Sequence, residues 1–161
     1  MLQKLLKALV SMLFAVCASS ALAQMPNPYG APINLETAKK AAAATAAEAR
    51  KNNWNMAIAI TDIAGDLVYL EKMDATQTAS VKVAMGKARS AAIYKRPTKV
   101  WQDGVAAGGA GLRILGLEGA VPVDGGLPIV MDGKIVGAIG VSGAAGNQDA
   151  QCAQAGVDAL K

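Results

Sequence analysis

The sequence predicts an α+β fold, an antiparallel sheet with helices on its faces, in a single domain. Three observations predict it. Strand-like runs come in two clusters, MAIAITDIAGDLVYLEKM and GGLPIVMDGKIVGAIGVSG, each folded by a short turn. Helical runs lie before, between and after them, and strands clustered in this way pair antiparallel. Removing the first 23 of the 161 residues, for the reason given next, leaves 138, the size of one ordinary domain.

The chain opens with MLQKLLKALVSMLFAVCASSALA, in which Lys4 and Lys7 precede an apolar run that closes on Ala21-Leu22-Ala23. This is the pattern of a cleavable secretory signal, residues 1–23, with the mature chain starting at Gln24 in the periplasm or outside the cell. A lipoprotein alternative would use Cys17, but Val16 stands where a small residue is wanted. Removing two of the 16 cations against 12 acids leaves a net charge of +2, too mild for nucleic acid, and no later segment suits a membrane. Cys152 then remains alone, with no disulfide partner and no Cys-x-x-Cys. The only phenylalanine, Phe14, also leaves, so the core must be built from Ala, Val, Ile, Leu and Met.

Residues 24–33 contain three prolines and read as an extended arm ahead of a domain spanning 34–161. Asn34 caps an alanine-rich helix with Glu36 in its first turn, where a negative charge suits the helix dipole. Next comes a hairpin with Met56, Ile58 and Ile60 on one face, Ala59 and Thr61 on the other, and Ala64-Gly65-Asp66 at the turn. From Thr78 to Tyr94, Val81, Met85, Ala88 and Ala92 recur at helical spacing, an apolar stripe that Pro97 ends. Thr98 caps a short successor helix through Trp101, and residues 104–119 carry no clear periodic signal. A last helix follows, with Asn147 as its cap.

Asp132-Gly133 between IVM and KIV is a strong hairpin signal, because a type I′ turn needs positive φ at both central residues. In the returning strand Ile135, Ile139 and Val141 make a bulky face. Val136, Ala138, Gly140 and Ser142 make a smooth one that a helix or another chain can approach closely. Phosphate loops are excluded by spacing: Gly86-Lys87 is followed by Ala88, and no Gly-x-Gly-x-x-Gly opens a helix. A nucleophile elbow would need glycine where Ala144 stands. Gly125-Gly126 stays open as a backbone-donor site.

The segments VPVDGGLPIVMDGKIVGAIGVSGAAGNQDAQCAQAGVDAL, NMAIAITDIAGDLVYLEKMDAT and GKARSAAIYKRPTKVWQD together resemble the GlcG/HbpS family, the haem-binding or haem-degrading group that includes the C-terminal domain of the PduO proteins. The resemblance runs from Leu35 to Lys161. It implies a five-stranded antiparallel sheet flanked by helices, profilin-like in layout, a homo-oligomer, and haem or a related tetrapyrrole as ligand.

The chain has no histidine, so the commonest axial ligand of haem is absent. Met56, Met73, Met85, Met131, Tyr69, Tyr94, Cys152 and lysines remain as donors, with core packing the plainer role for the methionines and for Cys152. No acid lies between Asp74 and Asp103, whereas Lys82, Lys87, Arg89, Lys95, Arg96 and Lys99 do. Such a run is either a solvated helix face or a site for a carboxylate or phosphate. Lys82, Arg89, Arg96, Thr98, Gly125 and Gly126 are the candidate ligand-binding residues. Trp101 is either a plate for a flat ligand or a core anchor. Asp62, Glu71 and Asp124 are weak acid–base candidates, since Asp62 and Asp124 border turns, so no catalytic residue is assigned. No structural metal is expected. The chain therefore reads as an exported, homo-oligomeric binder of haem or another small anionic molecule. The alternatives are an accessory factor or small enzyme of organic-acid or alcohol metabolism, of the glycolate or propanediol kind, and a purely structural assembly module.

Overall fold

The structure is a computed structural model that describes residues 26–161; the expected signal peptide and its cleavage site lie outside the described residues. Helix α1 (Leu35–Lys51) leads into the hairpin of β1 (Ala57–Thr61) and β2 (Leu67–Lys72). Helices α2 (Ser80–Tyr94) and α3 (Thr98–Ala106) and a 3-10 segment (Gly109–Gly116) follow. A second hairpin, β3 (Gly126–Met131) and β4 (Lys134–Ser142), and helix α4 (Gly146–Asp158) complete the domain. The sheet is antiparallel throughout, in the order β2-β1-β4-β3.

The sheet has four strands among the described residues, not the expected five. The arm reaches the sheet, and Tyr29 forms a single parallel bridge to Ile135. Pro28 accepts from the Ile135 N–H, while Gly30 and Ile33 donate to Ile135 and Val136. Pro26, Pro28 and Pro32 have no N–H to donate, which keeps this contact from extending into a ladder.

The two faces of the sheet differ in the size of what they carry. Met56, Ile58, Ile60, Ile129, Ile139 and Val141 pack against the alanines of α1 and against Cys152 and Ala153 of α4. On the other face Ala57 and Ala59 meet Ala84 and Ala88 of α2, and Ala138 meets Ala91 and Ala92. The smooth face is thus covered by a helix of the same chain. At Gly140 a Cβ would collide with the Ala84 carbonyl oxygen and the Ala88 nitrogen, so glycine is what permits this approach.

That closeness corrects the expected packing stripe of α2. Its fully buried positions include Ala84, Lys87, Ala88 and Ala91, whereas Met85 is exposed and Val81 half-buried. A helix laid on an alanine-glycine surface turns its small residues inward and its long apolar ones away.

Local signals behave as the chemistry requires in several places. Asn34 Oδ1 accepts from the Thr37 N–H at 2.8 Å, and Asp132 and Gly133 hold φ of 48° and 71° at the hairpin turn. Asp62 Oδ1 accepts from the N–H groups of Ala64 and Asp66, which makes it a turn brace. Two caps differ from expectation. Pro97 precedes α3, which extends to Ala106, and Thr98 turns inward instead of capping. Ala145 precedes α4, and Gln148 accepts from the Ala145 N–H, so Asn147 already lies within the helix. At the end of α2, Lys95 adopts a left-handed conformation with its ammonium 4.0 Å from the Tyr29 ring centroid, while the Tyr29 hydroxyl donates to Ala92 O.

Gly140→Ala is expected to destabilise the domain by about 1–3 kcal/mol, because the added methyl must push helix from sheet. Ile58→Val on the bulky face should cost about 0.5–1.5 kcal/mol. Urea denaturation followed by circular dichroism measures both, and a silent Gly140→Ala would contradict the packing.

Candidate functional site

Two sites bear polar chemistry, and α2 contributes to both. The first is interior. Lys87 is fully buried; its ammonium donates to Asp149 Oδ2 at 2.7 Å and to Val141 O at 2.9 Å. Asp149, in the first turn of α4, also accepts from the Ala144 N–H through Oδ1. Burial raises the Asp149 pKa, opposed by the Lys87 hydrogen bond and by the N–H groups of Ala144 and Gly143. Gly125, at φ 115°, closes over the pair: a Cβ there would stand 2.9 Å from Lys87 Nζ and 2.7 Å from Asp149 Cβ.

The neighbouring candidates complete this interior block. Thr98 Oγ1 accepts from the Gly126 N–H at 2.9 Å, and Asp124 Oδ1 accepts from the Gly125 N–H at 2.8 Å. Both glycine N–H groups therefore have partners inside the protein. Thr98, Asp124, Gly125 and Gly126 are all buried.

The second site is an open cleft of about 300 Å³ between the β1–β2 turn and α2, lined by Thr61, Gly65, Asp66, Leu67, Met85, Gly86 and Arg89. Thr61 follows a register shift between Ile60 and Thr61, and its hydroxyl is buried without a hydrogen-bond partner. Arg89 makes no ion pair among the described residues. Its side chain passes between two glycines, since a Cβ on Gly65 would meet Arg89 Cγ at 2.8 Å and one on Gly119 would lie 3.8 Å from Arg89 Nε. Lys82 is exposed on α2, seven residues before Arg89 and so on the same side of the helix.

The six cations of the 82–99 stretch therefore separate by environment. Lys87 is the buried partner of Asp149, and Lys99 pairs with Asp103 one turn along α3. Lys95 lies over Tyr29, and the Arg96 guanidinium is 4.8 Å from the ring centroid of Trp101. Lys82 and Arg89 remain, two turns apart on one side of α2, and Arg89 lines the cleft. Trp101 is buried and meets Tyr94 edge to face at 5.2 Å, which makes it a core anchor. A shallow polar depression elsewhere is lined by Arg50, Asn55, Glu71, Lys72, Met73 and Asp74, with Arg50 3.6 Å from Glu71.

Among the soft donors, Met56 and Cys152 are fully buried, and Met73 and Met131 pack on the core. Desolvation, aided by the charges of Glu48 and Asp149, pushes the Cys152 thiol up to about 11, the condition of an inert packing residue. Met85 is exposed, and it lines the cleft. No group of three or more Cys, Asp or Glu side chains is placed to hold a metal ion among the described residues.

The architecture defines a class: a small α+β domain whose antiparallel sheet lies between helices, with a lateral cleft that contains no histidine. The chain belongs to the HbpS-like family, described as haem degrading protein HbpS-like, which matches residues 33–158. The GlcG protein of Escherichia coli K12 is 39% identical over 95 residues, 59% of this chain and 69% of that one. A double mutant of HbpS from Streptomyces reticuli superposes with a TM-score of 0.75 at 28% identity, over 90% of this chain and 98% of that one. The structure of a PduOC:heme complex superposes with a TM-score of 0.72 at 25% identity, over 80% and 94% of the two chains.

Removing one partner of the interior pair should be far costlier than removing both. Asp149→Ala is expected to lose about 3–5 kcal/mol, because it leaves a buried ammonium uncompensated, whereas Lys87→Met with Asp149→Leu should recover most of that loss. Denaturant titration of Lys87→Met, Asp149→Leu and the pair combined closes a double-mutant cycle that measures the coupling. Additive losses would show that the pair does not act as a unit.

Proposed function

We propose that the protein is an exported, homo-oligomeric binder of haem or a similarly flat, anionic tetrapyrrole, held without histidine. The observation that carries this is the cleft beside α2, where an orphaned buried hydroxyl, an apolar wall and an unpaired guanidinium converge. The family, whose description names haem degradation, and the haem complex of a structural neighbour supply the ligand class.

The residues present fit such a group. Leu67 and the Met85 side chain offer apolar surface to a ring. Arg89 would hold a propionate through charge-assisted hydrogen bonds, and Lys82, two turns away on the same side of α2, adds to the positive field. Asp66, on the same rim, repels a second anion and so favours one orientation of an asymmetric ligand. The iron would supply a Lewis-acid and redox-active centre; the protein's part is to bind and orient the ring and exclude water from one of its faces.

Export rests on the signal-like succession of residues 1–23. Support for assembly comes from the 3-10 segment and its flanks. That segment buries no residue, and Val100, Leu112, Leu115, Leu117 and Val123 are all exposed. Apolar side chains gathered in this way favour covering by another chain, and a second copy is the simplest partner.

Titrating haemin into the purified protein should raise a Soret band with saturable binding. Replacing Lys82 and Arg89 with alanine should weaken binding about fivefold and reduce its sensitivity to salt, an exposed charge pair being worth up to about 1 kcal/mol. No spectral change on adding haemin would overturn the proposal. Native mass spectrometry of periplasmic protein should show subunits beginning at Gln24 in a multimer; a monomer, or a subunit retaining residues 1–23, would overturn the assembly or the export.

A further inference from the structure

We propose that the thioether of Met85 is the axial ligand to the iron of the bound tetrapyrrole, an assignment that rests on the haem-binding function proposed above. Elimination among the described donors is the first argument. Met56 and Cys152 are sealed in the core, and Met73 and Met131 pack against it. Tyr69 donates to Glu71, and Tyr94 donates to Glu118 O. Lys87 is held by Asp149 and Lys99 by Asp103, Lys95 lies over Tyr29, and Lys82 is not among the residues that line the cleft. Met85 is the soft donor that is exposed and lines the cleft.

The second argument is its position, for which packing accounts: Ala84, Ala88 and Ala91 meet the sheet, and Met85 is exposed on the other side of α2. It shares the cleft with Leu67, which adds apolar surface beside the sulfur, and with Arg89. Lys82 lies one turn before it and Arg89 one turn after, about 4.5 Å and about 6 Å along the helix axis. Arg89, lining the same cleft as the neutral sulfur donor, is placed to meet a ring-edge carboxylate. A thioether has no proton to lose on ligation, so no base is needed in a site that contains no histidine.

Haemin is titrated into the parent protein, Met85→Ala and Met85→His, with far-ultraviolet circular dichroism confirming that each is folded; the exposed position makes both tolerable. The parent's ferric complex should show the weak long-wavelength charge-transfer band of thioether ligation. Met85→Ala should lose that band, bind more weakly and have a lower reduction potential, since methionine ligation raises it. Met85→His should replace the band with an imidazole-type spectrum and bind more tightly. Haem binding by the parent without the thioether band, or an unchanged spectrum in Met85→Ala, overturns the ligand assignment and leaves haem binding standing. No spectral change in the parent overturns both.

Discussion

A lysine ammonium enclosed in the protein interior joins the parts of this fold that side-chain volume alone would leave loosely related. Lys87 projects from the helix on the smooth side of the sheet, and Asp149 from the helix on the bulky side. They meet at the end of β4, where Val141 O takes a second ammonium proton. A buried ion pair is a poor source of net stability, but its geometry is exacting. It sets the register of two helices against one strand, and Gly125 excludes anything larger from the space above it.

The same helix has a second, opposite character. One side carries small residues and Lys87 into the sheet; the other carries Lys82, Met85 and Arg89 outward. These follow from one constraint. Gly140 and the alanines bring sheet and helix together, and a long side chain is buried on that side only where, like Lys87, it finds partners in Asp149 and Val141 O. The cleft is therefore built on the outer side of the helix that Gly140 lets down onto the sheet.

Much of the fold was legible in the sequence. Asp132-Gly133, Ala64-Gly65-Asp66 and the Asn34 cap are local signals whose backbone chemistry does not depend on distant partners, and they held. The smooth and bulky faces of β4 were also readable, from the alternation of Ala138 and Gly140 with Ile139 and Val141. The α2 stripe was not, because hydrophobic periodicity ranks Met85 and Val81 above Ala84 and Ala91. The missing step was to combine the two: a helix that meets a smooth strand face must present its own small residues. That rule also places Lys87, three residues after Ala84 and four before Ala91, on the inward side. Sequence neighbours could not distinguish a cation paired with Asp149, 62 residues away, from the solvated Lys82. Thr98 and Gly126 were singled out together, but only the fold shows the hydrogen bond between them.

The exposure of Met85 has a chemical consequence of its own. Oxidants convert an accessible thioether to a sulfoxide, a polar and chiral group, while a thioether sealed in the interior is protected. Met56 belongs to the second kind and Met85 to the first. Under oxidising conditions, damage at Met85 would fall on a surface the core does not use. The fold would be spared while the polarity of the cleft changed, so oxidation at Met85 would alter the site before it altered the structure.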